Sequence, residues 1–234
     1  MYKLSIVIPI FNNWLFTLNA LNNLIKLDKD NFEIIIVDNA SADETHHGMS
    51  QFLDQSNLKY IRNAENEFFG KACNKGYFAS QGTSVLFLNN DVKFLGDYIK
   101  WFDDLVSQLE LNNNCLISPT GGFVDPNKNF KFEYETNNAK EKFNYLSGWN
   151  ISSNKETFNK LAIKDQLGPF DSETYKLYFE DTDLSFRATQ QKIKLLMFPC
   201  PLVHIGKQTS KKINGSKYFQ ESQKQFIKKW KNKL

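Results

Sequence analysis

No run of apolar residues in this sequence approaches the roughly 20 that a membrane-spanning helix needs. The opening MYKLSIVIPIFNNW meets Asn12 and Asn13 before a secretory apolar stretch can lengthen. The expectation is a cytoplasmic chain that neither spans a membrane nor is exported. Cysteine is scarce: Cys73, Cys115 and Cys200 are far apart with no Cys-x-x-Cys pair, which argues against a disulfide framework or a zinc cluster and predicts reduced thiols. The first glycine is Gly48, so no Gly-x-Gly-x-x-Gly follows the first strand, and a P-loop is also missing. A nicotinamide or flavin oxidoreductase is disfavoured on that count. Recognised nucleic-acid motifs are absent too, so no nucleic-acid partner is expected. Arginine is nearly absent, with two residues against 27 lysines, beside 26 asparagines. Such a broad bias makes any single Asn or Lys a weak pointer to function.

What remains is a globular composition, 41% hydrophobic and 24% charged, in 234 residues, enough for one large or two small domains. The net charge of +3 hides an asymmetry. Residues 207–234 hold nine lysines against Glu221, a balance of +8, which leaves −5 for residues 1–206. Within that tail Phe219, Phe226, Ile227, Trp230 and Leu234 recur at near-helical spacing, a basic amphipathic helix. Two readings stay open for it: a helix docked on the body, or one that meets an anionic membrane surface.

The first ninety residues alternate short β-rich runs with helical patterns, the signature of βαβ crossovers and a largely parallel sheet. Strands are predicted at 4–10, 32–38, 58–61 and 84–89, with helices at about 14–27, 43–55 and 68–80. Continuous apolar strands imply burial on both faces. A helix at 94–111 and a strand at 115–118 follow, then a hairpin or meander around NFKFEYE, helices at 153–162 and 181–191, and a strand at 194–199. The class is α/β, with residues 1–206 as one unit and 207–234 as a tail.

In open α/β sheets ligands bind beyond the carboxyl ends of the strands. Three such ends carry polar residues in succession: Pro9-Ile10-Phe11-Asn12, then Asp38-Asn39-Ala40-Ser41-Ala42-Asp43, then Asn89-Asn90-Asp91. For Ser41 or Asp43 alone, capping of the next helix is the plainer explanation. A carboxylate after strand four is placed to bind a divalent cation through hard oxygen ligands. Glu180, Asp181 and Asp183 open a helix, where matching to its dipole accounts for one or two of them. The aromatic loop before them, GPFDSETYKLYF, is suited to walling a sugar site. A lone His204 after the last strand is more often structural than a ligand.

Taken in order, SIVIPIFNN, VDNASAD, NEFFGKACNKGYFAS, LFLNND, GPFDSETYKLYFEDTDLSFR and VHIGKQTS resemble the family 2 glycosyltransferases, inverting enzymes of the GT-A fold, over about residues 4–206. The resemblance implies a single GT-A domain with a nucleotide-binding half at 1–91 and an acceptor half at 92–206. It implies donor contacts from Pro9, Phe11, Asn12, Asp38, Asn39, Ser41, Asn66, Asn74, Asn89 and Asn90, and sugar contacts from Gly148, Trp149, Tyr178 and Glu180. Asp91 falls on the metal-binding end of the family's DxD, and His204 on a position that often joins the metal or diphosphate, so Mn2+ or Mg2+ is the implied cofactor. Asp181 falls on the catalytic base and Glu180 on its neighbour. Two departures stand out: Asn89 replaces the first acid of DxD, and Phe68 stands where many members have glycine. The implied activity is sugar transfer from a nucleoside diphosphate sugar, UDP by default, to a glycan or lipid-linked acceptor of lipopolysaccharide, capsule or another envelope polysaccharide. A catalytically silent nucleotide-sugar-binding module is the alternative, with Asn89 its best argument.

Overall fold

The computed structural model describes residues 1–206 and 215–233. Lys207 to Ser210 of the closing VHIGKQTS stretch, and Leu234 of the tail's apolar face, lie outside the described residues. Twelve strands and seven α-helices are assigned among the described residues. In chain order these are β1 (Leu4–Ile10), α1 (Trp14–Leu24), β2 (Phe32–Asp38), α2 (Thr45–Met49), β3 (Leu58–Arg62), α3 (Phe68–Ala79), β4 (Ser84–Leu88), β5 (Val92–Phe94) and α4 (Tyr98–Leu111). The second half adds β6 (Cys115–Ser118), β7 (Gly121–Asp125), β8 (Lys131–Thr136), β9 (Tyr145–Leu146), β10 (Asn150–Asn154), α5 (Lys155–Leu161), α6 (Glu180–Gln190), β11 (Lys194–Met197), β12 (Leu202–His204) and α7 (Gly215–Trp230).

The central sheet has seven strands in the order β11-β6-β10-β4-β1-β2-β3, and β10 alone runs against the other six. Strands β1, β2 and β4 are mainly apolar because both faces are covered, and the buried Ser5 hydroxyl of β1 donates to Glu33 of β2. Ile6, Ile8, Ile34, Ile36 and Leu86 face one core with α1 and α4, while Val7, Ile35, Val37, Val85 and Phe87 face another with α3, α5 and α6. Gly76 lets α3 lie close on this sheet: a Cβ there would stand 2.2 Å from Val7 Cγ1. A three-stranded antiparallel sheet, β8-β7-β9, forms the expected hairpin and meander. A third core joins it to α6 and α7 through Val124, Phe130, Tyr175, Phe179, Phe186, Phe226 and Trp230.

Several boundaries differ from expectation for identifiable reasons. The pattern at 43–55 is not one helix but α2 followed by a single 3-10 turn at Ser50–Phe52. Helix α4 begins at Tyr98 rather than 94, because Val92–Phe94 pairs antiparallel with β12, Gly96 takes a positive φ, and Asp97 caps the helix by accepting from Lys100 N. Residues 153 and 154 belong to β10, not to a helix. The β10 sequence NISSN reads as polar, yet Ser152 and Ser153 are buried because their hydroxyls donate to the Ile117 and Cys115 carbonyls.

Candidate active site

One end of the candidate site, where donor contacts are expected, is built where β1, β2 and β3 finish in register, Ile10 beside Asp38 and Asp38 beside Arg62. Asp38 is fully buried. Its Oδ1 accepts from Ser41 N at 2.8 Å, and its Oδ2 accepts from the Tyr60 hydroxyl at 2.6 Å and from Arg62 Nη1. Burial, and donation of its proton to Asp38, push the Tyr60 hydroxyl up to about 12. Arg62 Nη2 also donates to Ser41 O at 2.9 Å. The Ser41 hydroxyl accepts from Asn12 N, and Asn12 Oδ1 accepts from Ala42 N, so two predicted donor-side residues lock each other. Asn12 and Asn13 both hold left-handed φ, a conformation Asn tolerates well. Of the two capping candidates, Asp43 accepts from Thr45 N and Trp14 N, the first residues of α2 and α1, although Glu44 and Asn13 hold the N-cap positions, and the Ser41 hydroxyl is bonded to Asn12 N instead. Pro9 is buried inside β1 and Phe11 is half-buried just beyond it.

Asn39 reaches the loop before α3: its Oδ1 accepts from Asn63 Nδ2 and Glu67 N, and its Nδ2 donates to Phe68 O. Asn66 Oδ1 accepts from Phe68 N, and Phe68 takes φ +64, the left-handed geometry that glycine adopts without strain. Two predicted donor contacts are buried and bonded to the fold. Asn74 is 1% exposed and its amide is spent on the fold, donating to Phe170 O at 2.8 Å and accepting from Phe170 N at 3.0 Å. Asn90 is buried and donates to Thr17 Oγ1 inside the body.

The centre of the site depends on β10 running against β4. Asn150 pairs with Leu88, which lays Gly148 and Trp149 beside Asn89, and Asn89 N donates to Trp149 O at 2.8 Å. The β5–β12 pair brings His204 to the same place, opposite Val92. His204 Nε2 then lies 3.1 Å from Asp91 Oδ1 and 3.1 Å from Asn89 Nδ2, with Trp149 stacked on its ring at 5.2 Å and 7°. Trp149 Nε1 donates to Thr120 Oγ1.

One ring nitrogen thus faces a carboxylate that wants a proton and an amide that offers one, and no single tautomer serves both. A cation beside a neutral imidazole, with the Asn89 amide turned to present its oxygen, removes the conflict. The donor set of carboxylate, imidazole and amide fits Mg2+ or Mn2+, which take few protein ligands and complete their shell with water and phosphate oxygens. Among the described residues no group of three His, Cys, Asp or Glu side chains could hold a metal on its own.

At the other end Gly148 N donates to Asp181 Oδ2 at 2.8 Å, while Asp181 Oδ1 accepts from Thr182 N and the Thr182 hydroxyl. Gly148 is required by proximity, since a Cβ would stand 2.9 Å from Asp181 Cβ. Glu180 is buried beside Asp181, and its Oε2 has no hydrogen-bond partner. Burial, and then the charge of Asp181, raise Glu180 to about 8; burial raises Asp181 as well, opposed by its three donors. The negative charge of the pair therefore rests on Asp181, which is solvated by N–H and O–H groups, and Glu180 stays neutral. Tyr178 and Phe179 precede the pair in left-handed conformations. Asp183, the third acid of α6, is fully enclosed by Arg187, Lys229, Tyr175 and Trp230 and serves the fold.

Segment 147–149 therefore touches both groups, His204 and Asn89 through Trp149 on one side and Asp181 through Gly148 on the other, with Asp91 reached through His204. Sequence reading missed Tyr60, Arg62 and Thr120. A usable signal was present for one of them: both arginines of this lysine-rich chain, Arg62 and Arg187, are bound to buried aspartates.

The chain belongs to glycosyl transferase family 2, whose family model matches residues 5–183. It is an α/β protein of the GT-A type and an enzyme class member by that relationship. Among curated relatives it is 32% identical over 102 residues to poly(ribitol-phosphate) beta-N-acetylglucosaminyltransferase TarS of Staphylococcus aureus, covering 42% of this chain and 17% of TarS. It is 29% identical over 126 residues to the GalNAc(5)-diNAcBac-PP-undecaprenol beta-1,3-glucosyltransferase of Campylobacter jejuni, covering 52% of this chain and 40% of that protein. The chain thus spans under half the length of these two relatives. Similar solved folds include S. aureus TarS 1-349 in complex with UDP-GlcNAc, at TM-score 0.62 and 19% identity over 89% of this chain and 60% of that one. The mannosyltransferase PcManGT of Pyrobaculum calidifontis, in complex with GDP-Man and Mn2+, matches at TM-score 0.65 and 14% identity over 95% of this chain and 64% of that one.

Proposed function

We propose that this domain moves a sugar from a nucleoside diphosphate sugar, with UDP as the nucleotide, to a hydroxyl of a glycan or lipid-linked acceptor in cell-surface polysaccharide assembly, inverting the anomeric centre. The observation that carries this reading is segment 147–149, in contact with His204 and Asn89 through Trp149 and with Asp181 through Gly148, while His204 in turn meets Asp91. Asp91 and His204 would hold a divalent cation, with Asn89 as a neutral oxygen donor. When bound, such an ion neutralises charge on the departing diphosphate. Asp181, ionised and oriented by three donors, accepts the proton of the attacking hydroxyl. Neutral Glu180 offers a proton to a sugar or acceptor oxygen without repelling the Asp181 charge. Trp149 and Tyr178 supply aromatic surface beside the sugar. Asp38, Ser41, Asn12 and Phe11 stand at the nucleoside end, with Arg62 and Tyr60 fixing the Asp38 carboxylate.

Support for UDP comes from the similar fold solved with UDP-GlcNAc, and support for a surface glycan from relatives whose names cite poly(ribitol-phosphate) and an undecaprenol-linked acceptor. A screen of UDP- and GDP-sugars for binding and hydrolysis, with and without Mn2+, tests the reading. The expected result is cation-dependent turnover that falls by about a hundredfold or more in Asp181→Asn and Asp91→Ala with the fold retained. Near-normal transfer by purified Asp181→Asn would remove the base assignment.

A further inference from the structure

Tyr178 and Phe179 have φ of +66 and +68, two successive aromatic residues in the left-handed region immediately before Glu180. Each such residue costs on the order of 1 kcal/mol or more, and the pair persists only where neighbours hold it. Most of those neighbours come from α7. The Ser222 hydroxyl donates to Leu177 O at 2.7 Å. The Phe219 ring packs on Tyr178 at 5.6 Å and on Phe179 at 5.4 Å, and Phe226 packs on Phe179 at 5.2 Å. At the helix end, Lys229 Nζ stands 2.8 Å from both Asp171 Oδ2 and Asp183 Oδ1, and Trp230 Nε1 donates to Asp183 Oδ1 at 2.9 Å. These polar contacts converge on segment 171–183, which carries the two acids.

We infer that α7 is a positioning element of the acceptor side: Phe219, Ser222 and Lys229 hold the left-handed Tyr178–Phe179 turn and the first turn of α6, and so aim Glu180 and Asp181. A helix docked only to cover apolar surface needs Phe226 and Trp230, both fully buried, but not hydrogen bonds to Leu177 and Asp183. The inference rests on the reading of Asp181 as base, and it adds that the base is held by a segment far beyond the residues the family model covers.

The test uses the full chain carrying Ser222→Ala, Phe219→Ala or the conservative Phe219→Tyr. Three quantities are read: kcat with the donor found in the screen, affinity for UDP with Mn2+, and the Glu180 carboxyl titration by carbon-13 NMR, whose titratable neighbours are Asp181 and the Cys73 thiol. The expected result is a roughly ten- to hundredfold loss of kcat in the alanine variants, since small misplacement of a reacting group is costly. UDP affinity stays within about twofold because every variant keeps Tyr218, the α7 residue whose ring packs on Phe68 at 5.2 Å beside the nucleoside end. The Glu180 titration moves down from about 8 toward its ordinary range, and Phe219→Tyr restores both. Variants that melt earlier while kcat and the Glu180 titration stay unchanged would overturn the inference. If Phe219→Ala does not fold, Ser222→Ala, which deletes one hydrogen bond, decides. Should Asp181→Asn keep its activity while the Glu180 titration still moves in the α7 variants, the base assignment falls and the hold on the turn stands.

Discussion

Glu180 and Asp181 are adjacent in sequence and alike in chemistry, yet their surroundings divide the work between them. Asp181 collects hydrogen bonds from Gly148 and Thr182, and Glu180 Oε2 collects none. The Glu180 carboxyl is raised to about 8, far above its value of 4.5 in an unfolded chain. Between those pH values the native state keeps a proton that the unfolded state releases, so this group makes stability fall as pH rises from about 4.5 to 8. Glu180→Gln should therefore raise the melting temperature relative to the parent, more at pH 8.5 than at pH 5.5, by differential scanning calorimetry. An equal difference at both pH values would show that Glu180 is not held neutral. Asn74 sits at the same scale. Asn74→Ala leaves the Phe170 N–H and C=O without their buried partner and should cost about 2–3 kcal/mol in urea unfolding, with UDP affinity unchanged. A large loss of UDP affinity with stability retained would return Asn74 to the donor contacts.

At the scale of elements, apolar strands were the most legible feature. Residues 4–10 and 32–38 match β1 and β2 because a strand covered on both faces is apolar along most of its length. Strand β10 escaped notice because its burial is satisfied by serine hydroxyls that donate to carbonyls of the neighbouring strand, a solution that leaves no hydrophobic trace in NISSN. Three-residue strands such as β5 and β12 carry too little pattern to be read, yet their pairing is what seats His204 beside Asp91. Glycine shows the same limit. Nothing local marks Gly148, whose need arises only when Asp181 closes on it. Gly148→Ala should therefore preserve UDP binding and lower kcat by about tenfold or more by displacing the base. Unchanged kcat in that variant would mean the Gly148–Asp181 contact has no part in transfer.

For the whole molecule, the tail is where sequence left two readings and packing favours one for its apolar face. Phe226 and Trp230 are fully enclosed in the third core, so that face is already occupied. Lys224, Lys228, Lys231 and Lys233 remain exposed on the described part of the helix. No helix among the described residues is long and apolar enough to cross a membrane. Contact with an anionic bilayer, which we retain as a proposal, is then a matter of charge without insertion. The full chain should float with vesicles rich in phosphatidylglycerol at low salt, not with phosphatidylcholine vesicles, and should be released at about 0.5 M salt, where screening shortens to a few ångströms. Absence of binding to the anionic vesicles at low salt would discard the proposal.

Sequence alone determined the sheet's central strands, the three polar strand ends and the order of motifs that marks the family, because each is written in contiguous residues whose periodicity or spacing is local. Only the tertiary structure shows which carboxyl is buried without donors, that Asn74 and Asn90 bond to the fold, and that α7 packs on the turn before Glu180. Those outcomes depend on desolvation and on hydrogen-bond partners up to 115 residues apart, and a linear pattern carries neither.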